Sequence, residues 1–174
     1  MHIQIETKRL RIRPITLTDA KFIFNLVNAE GWHRFIGDRN VSNIESAQHY
    51  IQNILDKSNT YYNVIELLRS GNPVGVVTLL KREDEVFPDI GFALLPEFEK
   101  EGYALEATKT YLEQITSSKK YDNIIGITLS DNHSSISLLQ KIGMTYQFDR
   151  QKEDQILSYY SLRKLMPTQR AGLV

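Results

Sequence analysis

The sequence predicts an α/β domain with a mixed, mainly antiparallel central sheet and helices on both faces. Three observations predict it. Apolar residues recur at period two in some segments and at i, i+3, i+4, i+7 in others. The turn Ser70-Gly71-Asn72-Pro73 joins two strand-like runs, which makes them antiparallel neighbours. Two strand–helix–strand units follow, and such units admit parallel pairing. The 174 residues contain no repeat, no low-complexity tract and no linker longer than a loop, so the chain reads as a single domain, 1–174.

The elements follow in order. Leu10–Pro14 is a strand with Leu10 and Ile12 on one side and Arg9, Arg11 and Arg13 on the other. Pro14 cannot donate to a ladder, so the strand is an edge or ends there. Thr16 and Asp19 approximate a capping box for a helix whose face is Ala20, Ile23, Phe24 and Val27. Asn28–Asn40 reads as irregular. Ser42 and Glu45 then cap a second helix, with Ile44, Ala47, Ile51, Ile54 and Leu55 on one face, ending near Lys57. Three strands come next: Tyr61–Arg69, Val74–Lys81 and Asp89–Leu95, the last stopped by Pro96. Leu105–Ser117 is helical, and Ile124–Leu129 is a short buried strand. Ser134–Ile142 is a helix that stops at Gly143. Thr145–Asp149 and Gln155–Arg163 are two further strands.

Composition narrows the function classes. Lys plus Arg and Asp plus Glu number 21 each, and neither half of the chain is a basic arm or an acidic tail. Net charge therefore gives no argument for a nucleic-acid or membrane partner. The absence of cysteine rules out disulfides, thiolate metal sites and a cysteine nucleophile. His2, His33, His49 and His133 are scattered, so no metal site is expected. The first ten residues have no signal-peptide pattern, and no segment approaches a membrane span, so the expected location is the cytoplasm.

Two stretches carry chemistry. In the first, Asp89-Ile-Gly-Phe-Ala-Leu-Leu-Pro-Glu-Phe-Glu-Lys-Glu-Gly-Tyr-Ala-Leu-Glu-Ala107, a strand runs through a short loop into a helix beginning near Gly102 to Ala104. The first turn of that helix has unpaired N–H groups and the positive end of the helix dipole, which suits a phosphate or pyrophosphate. Gly102 and Ala104 are small enough for a ligand to approach the main chain. The simpler alternative is that Gly102 only shapes the loop. In the second stretch, Leu129 to Met144, Asn132 lies just past a strand's C-terminal end, where open α/β sheets tend to bind ligands. The simpler alternative is that Asp131, Asn132 or Ser134 caps the following helix.

In this order and with these intervening elements, the two stretches resemble the GNAT N-acetyltransferase superfamily, from Thr7 to about Arg163. The branch they most resemble is that of ribosomal-protein N-terminal acetyltransferases. Its first strand and helix resemble Thr7-Lys-Arg-Leu-Arg-Ile-Arg-Pro14 followed by Thr18-Asp19-Ala20. Its fourth strand resembles Asp89-Ile-Gly-Phe92, and its last helix resembles Asn132…Ser135-Ile136…Leu139-Gln-Lys141-Ile-Gly143-Met144.

The resemblance implies acetyl-coenzyme A as donor, no metal, and a fourth and fifth strand that splay apart. The pyrophosphate would sit on the main chain of Lys100, Glu101, Gly102, Tyr103 and Ala104. The pantetheine arm would pair like an added strand with Phe92, Ala93, Leu94 and Leu95. Asn132 and Ser135 would hold its lower end. The acceptor would be an amine, at a peptide N-terminus or on a small molecule, acetylated directly in a ternary complex. A monomer or a homodimer is the implied assembly.

Departures from the family pattern are specific. Glu99 stands where Gln or Arg is usual in the pyrophosphate loop, and Glu99 and Glu101 are electrostatically unhelpful beside a phosphate. Binding then rests on the backbone, with Lys100 as a partial offset. Leu139 stands where many members have the Tyr that protonates the leaving thiolate, and Ser135, one turn earlier, is the substitute candidate. Asp89 is the first candidate for the general base, with Glu85, Glu66 and His33 behind it. Trp32 and Phe35 fall where the family lines its acceptor side, although core packing explains them as well. A coenzyme A-binding regulatory or interaction module of the same fold is the alternative function, and a purely structural α/β protein is a third.

Overall fold

The computed structural model describes residues 4–166. The eight strands form one sheet in the order β1-β2-β3-β4-β5-β6-β8-β7. They are β1 (Ile5–Glu6), β2 (Leu10–Pro14), β3 (Thr60–Leu67), β4 (Pro73–Leu80), β5 (Asp89–Leu94), β6 (Ile125–Leu129), β7 (Thr145–Lys152) and β8 (Gln155–Ser161). The helices are α1 (Ala20–Val27), entered through a 3₁₀ turn at Leu17–Asp19, α2 (Glu30–Phe35), α3 (Ile44–Leu55), α4 (Tyr103–Ser117) and α5 (His133–Lys141).

The sheet buries both faces, and the alternation of β3 divides them. Ile65 joins Leu10, Ile12, Leu79 and Ile90 under Tyr111 and Ile115 of α4 and Leu139 of α5. Val64 points the other way, with Val76, and meets Ile23 and Leu26 of α1, Trp32 of α2, and Ala47 and Ile51 of α3. Each fully buried aliphatic side chain contributes about 1.5–3 kcal/mol relative to exposure.

Several boundaries differ from those the sequence predicts. β2 ends at Pro14 but is not an edge, because β1 pairs with it. The span expected to be irregular contains α2, a helix too short to declare an apolar face. The cap of α3 is Asn43, not Ser42: Asn43 Oδ1 accepts from the Ser46 N–H at 2.8 Å, and Ser46 Oγ closes the box in place of Glu45. Thr16 and Asp19 do pair, the Asp19 carboxylate accepting from the Thr16 N–H at 2.8 Å. Arg13 then clamps Asp19 and Glu66 together, both at 2.7 Å. Of the two strand–helix–strand units, only β5-α4-β6 has its two parallel strands paired with each other. In the second unit the returning strand does not pair with β6, because β8 inserts antiparallel between β6 and β7.

The feature that positions the site is the meeting of β5 and β6. These parallel strands share one registered pair, Asp89 with Ile125, and then part. On its other side β5 pairs with β4 along its whole length.

Candidate active site

The parting of β5 and β6 starts at a side chain. The Pro88 carbonyl accepts from the Ile125 N–H at 3.0 Å, but the next N–H on that edge of β6, that of Ile127, donates to Asp89 Oδ1 at 3.1 Å. The carboxylate thus occupies the place of a strand–strand bond. Asp89 Oδ2 accepts from Arg82 Nε at 2.8 Å and Nη2 at 2.6 Å. Burial pushes the Asp89 carboxyl above its ordinary range, with Arg82 and the Ile127 N–H acting in the opposite direction. Oδ1 accepts one bond and keeps capacity for another.

Beyond Asp89, β5 has main-chain groups to spare. The Leu95 N–H donates to the Val74 carbonyl at 2.9 Å, so the odd-numbered residues of β5 face β4. By the two-residue alternation, Phe92 and Leu94 turn their N–H and C=O groups into the gap. The gap opens into a cleft of about 1010 Å³ that passes Phe92, Leu94, Gly102, Ala104, Asn132 and Ser135.

At one end of the cleft lies the start of α4. Gly102 caps that helix with φ +80°, a conformation open to glycine at little cost. The first helical bond from this end is the Glu106 N–H to the Gly102 carbonyl. The N–H groups of Tyr103, Ala104 and Leu105 therefore have no acceptor within the helix. Arg9 braces this turn from β2's approach. It donates to the Glu101 carbonyl (3.0 Å), pairs with the Glu106 carboxylate (2.7 Å) and stacks over Tyr103 (4.6 Å). Burial opposes the charge on Glu106, but hydrogen bonds from Thr7 and Arg9 hold its carboxyl below the ordinary range.

At the middle of the cleft is the start of α5. Asn132 caps it, its Oδ1 accepting from the Ser135 N–H at 3.1 Å. Ser135 Oγ has no hydrogen-bond partner among the described residues and is half-buried on the cleft wall. Leu139 packs one turn on, against Gly126, where any side chain larger than hydrogen would collide with it. Gly143, at φ +91°, then ends the helix, with the Gly143 and Met144 N–H groups returning to the Gln140 and Leu139 carbonyls.

The structure thus brings most of the residues singled out from the sequence to one cleft. Asp89, Phe92, Ala93, Leu94 and Lys100 line it, as do Gly102, Ala104, Asn132 and Ser135. Three do not. Leu95 packs into the core beside α1–α3, Tyr103 lies beneath Arg9, and Glu101 reaches Arg9 through its carbonyl. Glu99 and Glu101 are exposed, Glu99 on the cleft wall and Glu101 outside it. Among the other base candidates, Glu66 is held in the Arg13 cluster away from the cleft and His33 is exposed outside it. Glu85 is buried on the cleft wall, accepting from Tyr159 Oη at 2.7 Å and paired with Arg150 at 3.0 Å. Trp32 and Phe35 line the cleft, and Trp32 is also core.

Arg82 and Tyr159 were not legible as site residues. For Arg82 a signal existed: the hairpin register sets Leu80 opposite Asp89, so a residue just past the strand end reaches the carboxylate. Tyr159 lies 74 positions from Glu85, and no local pattern joins them.

The chain belongs to the GNAT acetyltransferase family, whose domain model matches residues 9–145, and it is an acyltransferase. A Bacillus subtilis (strain 168) protein named as the uncharacterized N-acetyltransferase YoaA is 27% identical over 149 residues, covering 80% of this chain and 81% of that protein. The fold is also that of a GNAT-family acetyltransferase from Bacillus anthracis, with TM-score 0.78, 21% identity and coverage of 91% and 97% of the two chains. It is similar as well to the ribosomal L7/L12 alpha-N-protein acetyltransferase RimL in complex with coenzyme A, with TM-score 0.76, 13% identity and coverage of 91% and 97%.

Among the described residues no cluster of His, Asp and Glu is arranged to hold a metal, and no helix is long and apolar enough to cross a membrane.

Proposed function

We propose that this protein transfers the acetyl group of acetyl-coenzyme A to a primary amine, at a protein N-terminus or on a small molecule, directly and with both substrates bound. The observation that carries the reading is the parting of β5 from β6 at Asp89, which leaves the main chain of Phe92 and Leu94 free for an extended ligand. Acetyl-coenzyme A supplies an activated acyl group. Phe92 and Leu94 pair with its pantetheine arm as a strand would. The free N–H groups at the start of α4, with the Lys100 ammonium, receive its pyrophosphate. The Asn132 amide and Ser135 hold the lower arm.

The chemistry then needs three things. An N–H facing the gap polarises the thioester carbonyl. The amine nitrogen bonds to the acetyl carbon as the carbon–sulfur bond breaks, and Asp89 takes the proton the amine loses. Ser135, with its hydroxyl unengaged, gives a proton to the departing sulfur. A buried carboxyl pushed upward in pKa suits a base working near neutrality.

Thiol release from acetyl-coenzyme A, measured with a panel of peptide and small primary amines, tests the reading. Amine-dependent turnover is expected, and Ser135→Ala is expected to slow turnover about 100-fold while donor affinity stays within about twofold. Unchanged turnover removes Ser135 from the mechanism. Donor-induced thermal stabilisation with no turnover on any amine would instead indicate a coenzyme A-binding module.

A further inference from the structure

The chemistry of the acceptor is narrowed by the charges beyond Asp89. There the cleft passes Tyr62, Leu80 and Arg82 and adjoins a second cavity of about 700 Å³, and Arg39 lines both. Each carboxylate on this part of the cleft wall already has its own cation. Asp89 is paired with Arg82 at 2.6 Å, Glu85 with Arg150 at 3.0 Å, and Asp84 with Lys152 at 3.6 Å. Arg39 has no ion pair and no hydrogen bond among the described residues. In the second cavity Arg39, Lys57 and Lys81 outnumber Asp56 and Glu83. Beside Arg39 and Arg82 a polycation meets only carboxylates that already have a cation, the unpaired Glu99 lying on the wall near Gly31, while an anion meets Arg39.

A second observation lies beside it. The Tyr50 and Tyr62 hydroxyls are 3.4 Å apart at the cavity they share with Arg39. Two hydroxyls carry two protons, and a bond between them uses one, so the other is available to a ligand. Burial pushes the Tyr62 hydroxyl far up in pKa, which keeps its proton in place. A guanidinium beside a hydroxyl donor is a receptor for a carboxylate.

We propose that the acceptor is a primary amine bearing a carboxylate in the same molecule, and that Arg39 with the Tyr50–Tyr62 hydroxyl pair receives that carboxylate. The inference rests on the acetyl-transfer reading above and specifies its acceptor. The carboxylate comes from an amino-acid-like small molecule or from an acidic side chain near a peptide N-terminus.

The test compares kcat/KM for thiol release on matched acceptors: a free acidic amino acid, a tripeptide with Asp at its second position, its Asn and Lys counterparts, and spermidine. The Asp peptide or the amino acid is expected to exceed the Asn peptide about tenfold, through KM, and which of the two leads identifies the source. Arg39→Gln should bring the Asp-to-Asn ratio to about one, Arg39→Lys should restore most of it, and added salt should erode it. Melting temperatures confirm that the variants fold. Spermidine or the Lys peptide as best acceptor, or an Asp-to-Asn ratio untouched by Arg39→Gln, overturns the inference alone. No turnover on any amine overturns it together with the acetyl-transfer reading.

Discussion

On the α4 side of the gap, the cleft offers main chain: the N–H and C=O groups of Phe92 and Leu94 and the free N–H groups of Tyr103, Ala104 and Leu105. On the Tyr159 side it offers side chains, brought from four strands or loops and tied into pairs: Arg82 with Asp89, and Arg150 and Tyr159 with Glu85. The difference bears on how each half tolerates change. A main-chain surface is indifferent to the side chains that hang from it, so it accommodates Glu101, which is exposed outside the cleft, and Glu99, which is exposed on the cleft wall near Gly31. A side-chain surface depends on every partner, because removing one member of a buried pair leaves the other charge uncompensated.

The sharpest way to break this comparison is at Asp89, where the two halves meet. Asp89→Asn keeps the shape and removes the charge. Turnover is expected to slow by about two orders of magnitude or more, with loss of the acid limb of the pH–rate profile. A full-rate variant with an unshifted profile would eliminate Asp89 as base and leave it a strand-splitting residue only. The group also has a stability signature. Its folded-state pKa is raised, so the stability it contributes is full below about 3.8 and is lost as pH rises through the folded value.

A smaller effect is expected on the main-chain side. Gly102→Val forces a β-branched residue into φ +80°, which costs more than the roughly 1–2 kcal/mol typical of an L-residue there. Donor affinity should fall about tenfold or more, whereas Glu99→Gln, which changes only an exposed side chain, should alter it less than about threefold. Equal losses from the two would contradict a cradle built of backbone.

The smallest effect is expected at the brace behind the cradle. Glu106 is held below its ordinary pKa, so its contribution to stability is present above 4.5 and is lost as pH falls through the depressed folded value. Glu106→Gln should lower the melting temperature by a few degrees at neutral pH, and the gap should close on acidification. A difference that persists in acid would assign the loss to packing and not to charge.

The same contrast explains what could be read in the sequence. The main-chain half was legible because its signals are local: a strand, a proline stop, Gly102 and Ala104, then a helical period. Asn132 and Ser135 were legible for the same reason, although capping and ligand holding coincide at Asn132 and only the structure separates its oxygen, which caps, from its amide. The side-chain half was not legible. Glu85 was marked as a carboxylate of interest, but its partners Arg150 and Tyr159 lie 65 and 74 positions away, and sheet order alone brings them together. The insertion of β8 between β6 and β7 decides that order, and no pattern in Thr145–Ser161 distinguishes it from the simpler arrangement in which β7 pairs directly with β6. The short helix α2 was missed because six residues cannot establish a helical period.

Amide hydrogen exchange with and without saturating acetyl-coenzyme A reads the main-chain cradle directly. Donor is expected to slow exchange at Phe92 and Leu94 and at Gly102 to Leu105. Gly91 and Ala93, already paired with β4, should change little. Saturating donor that leaves Phe92, Leu94 and the start of α4 as exchangeable as before would contradict a donor site built of backbone.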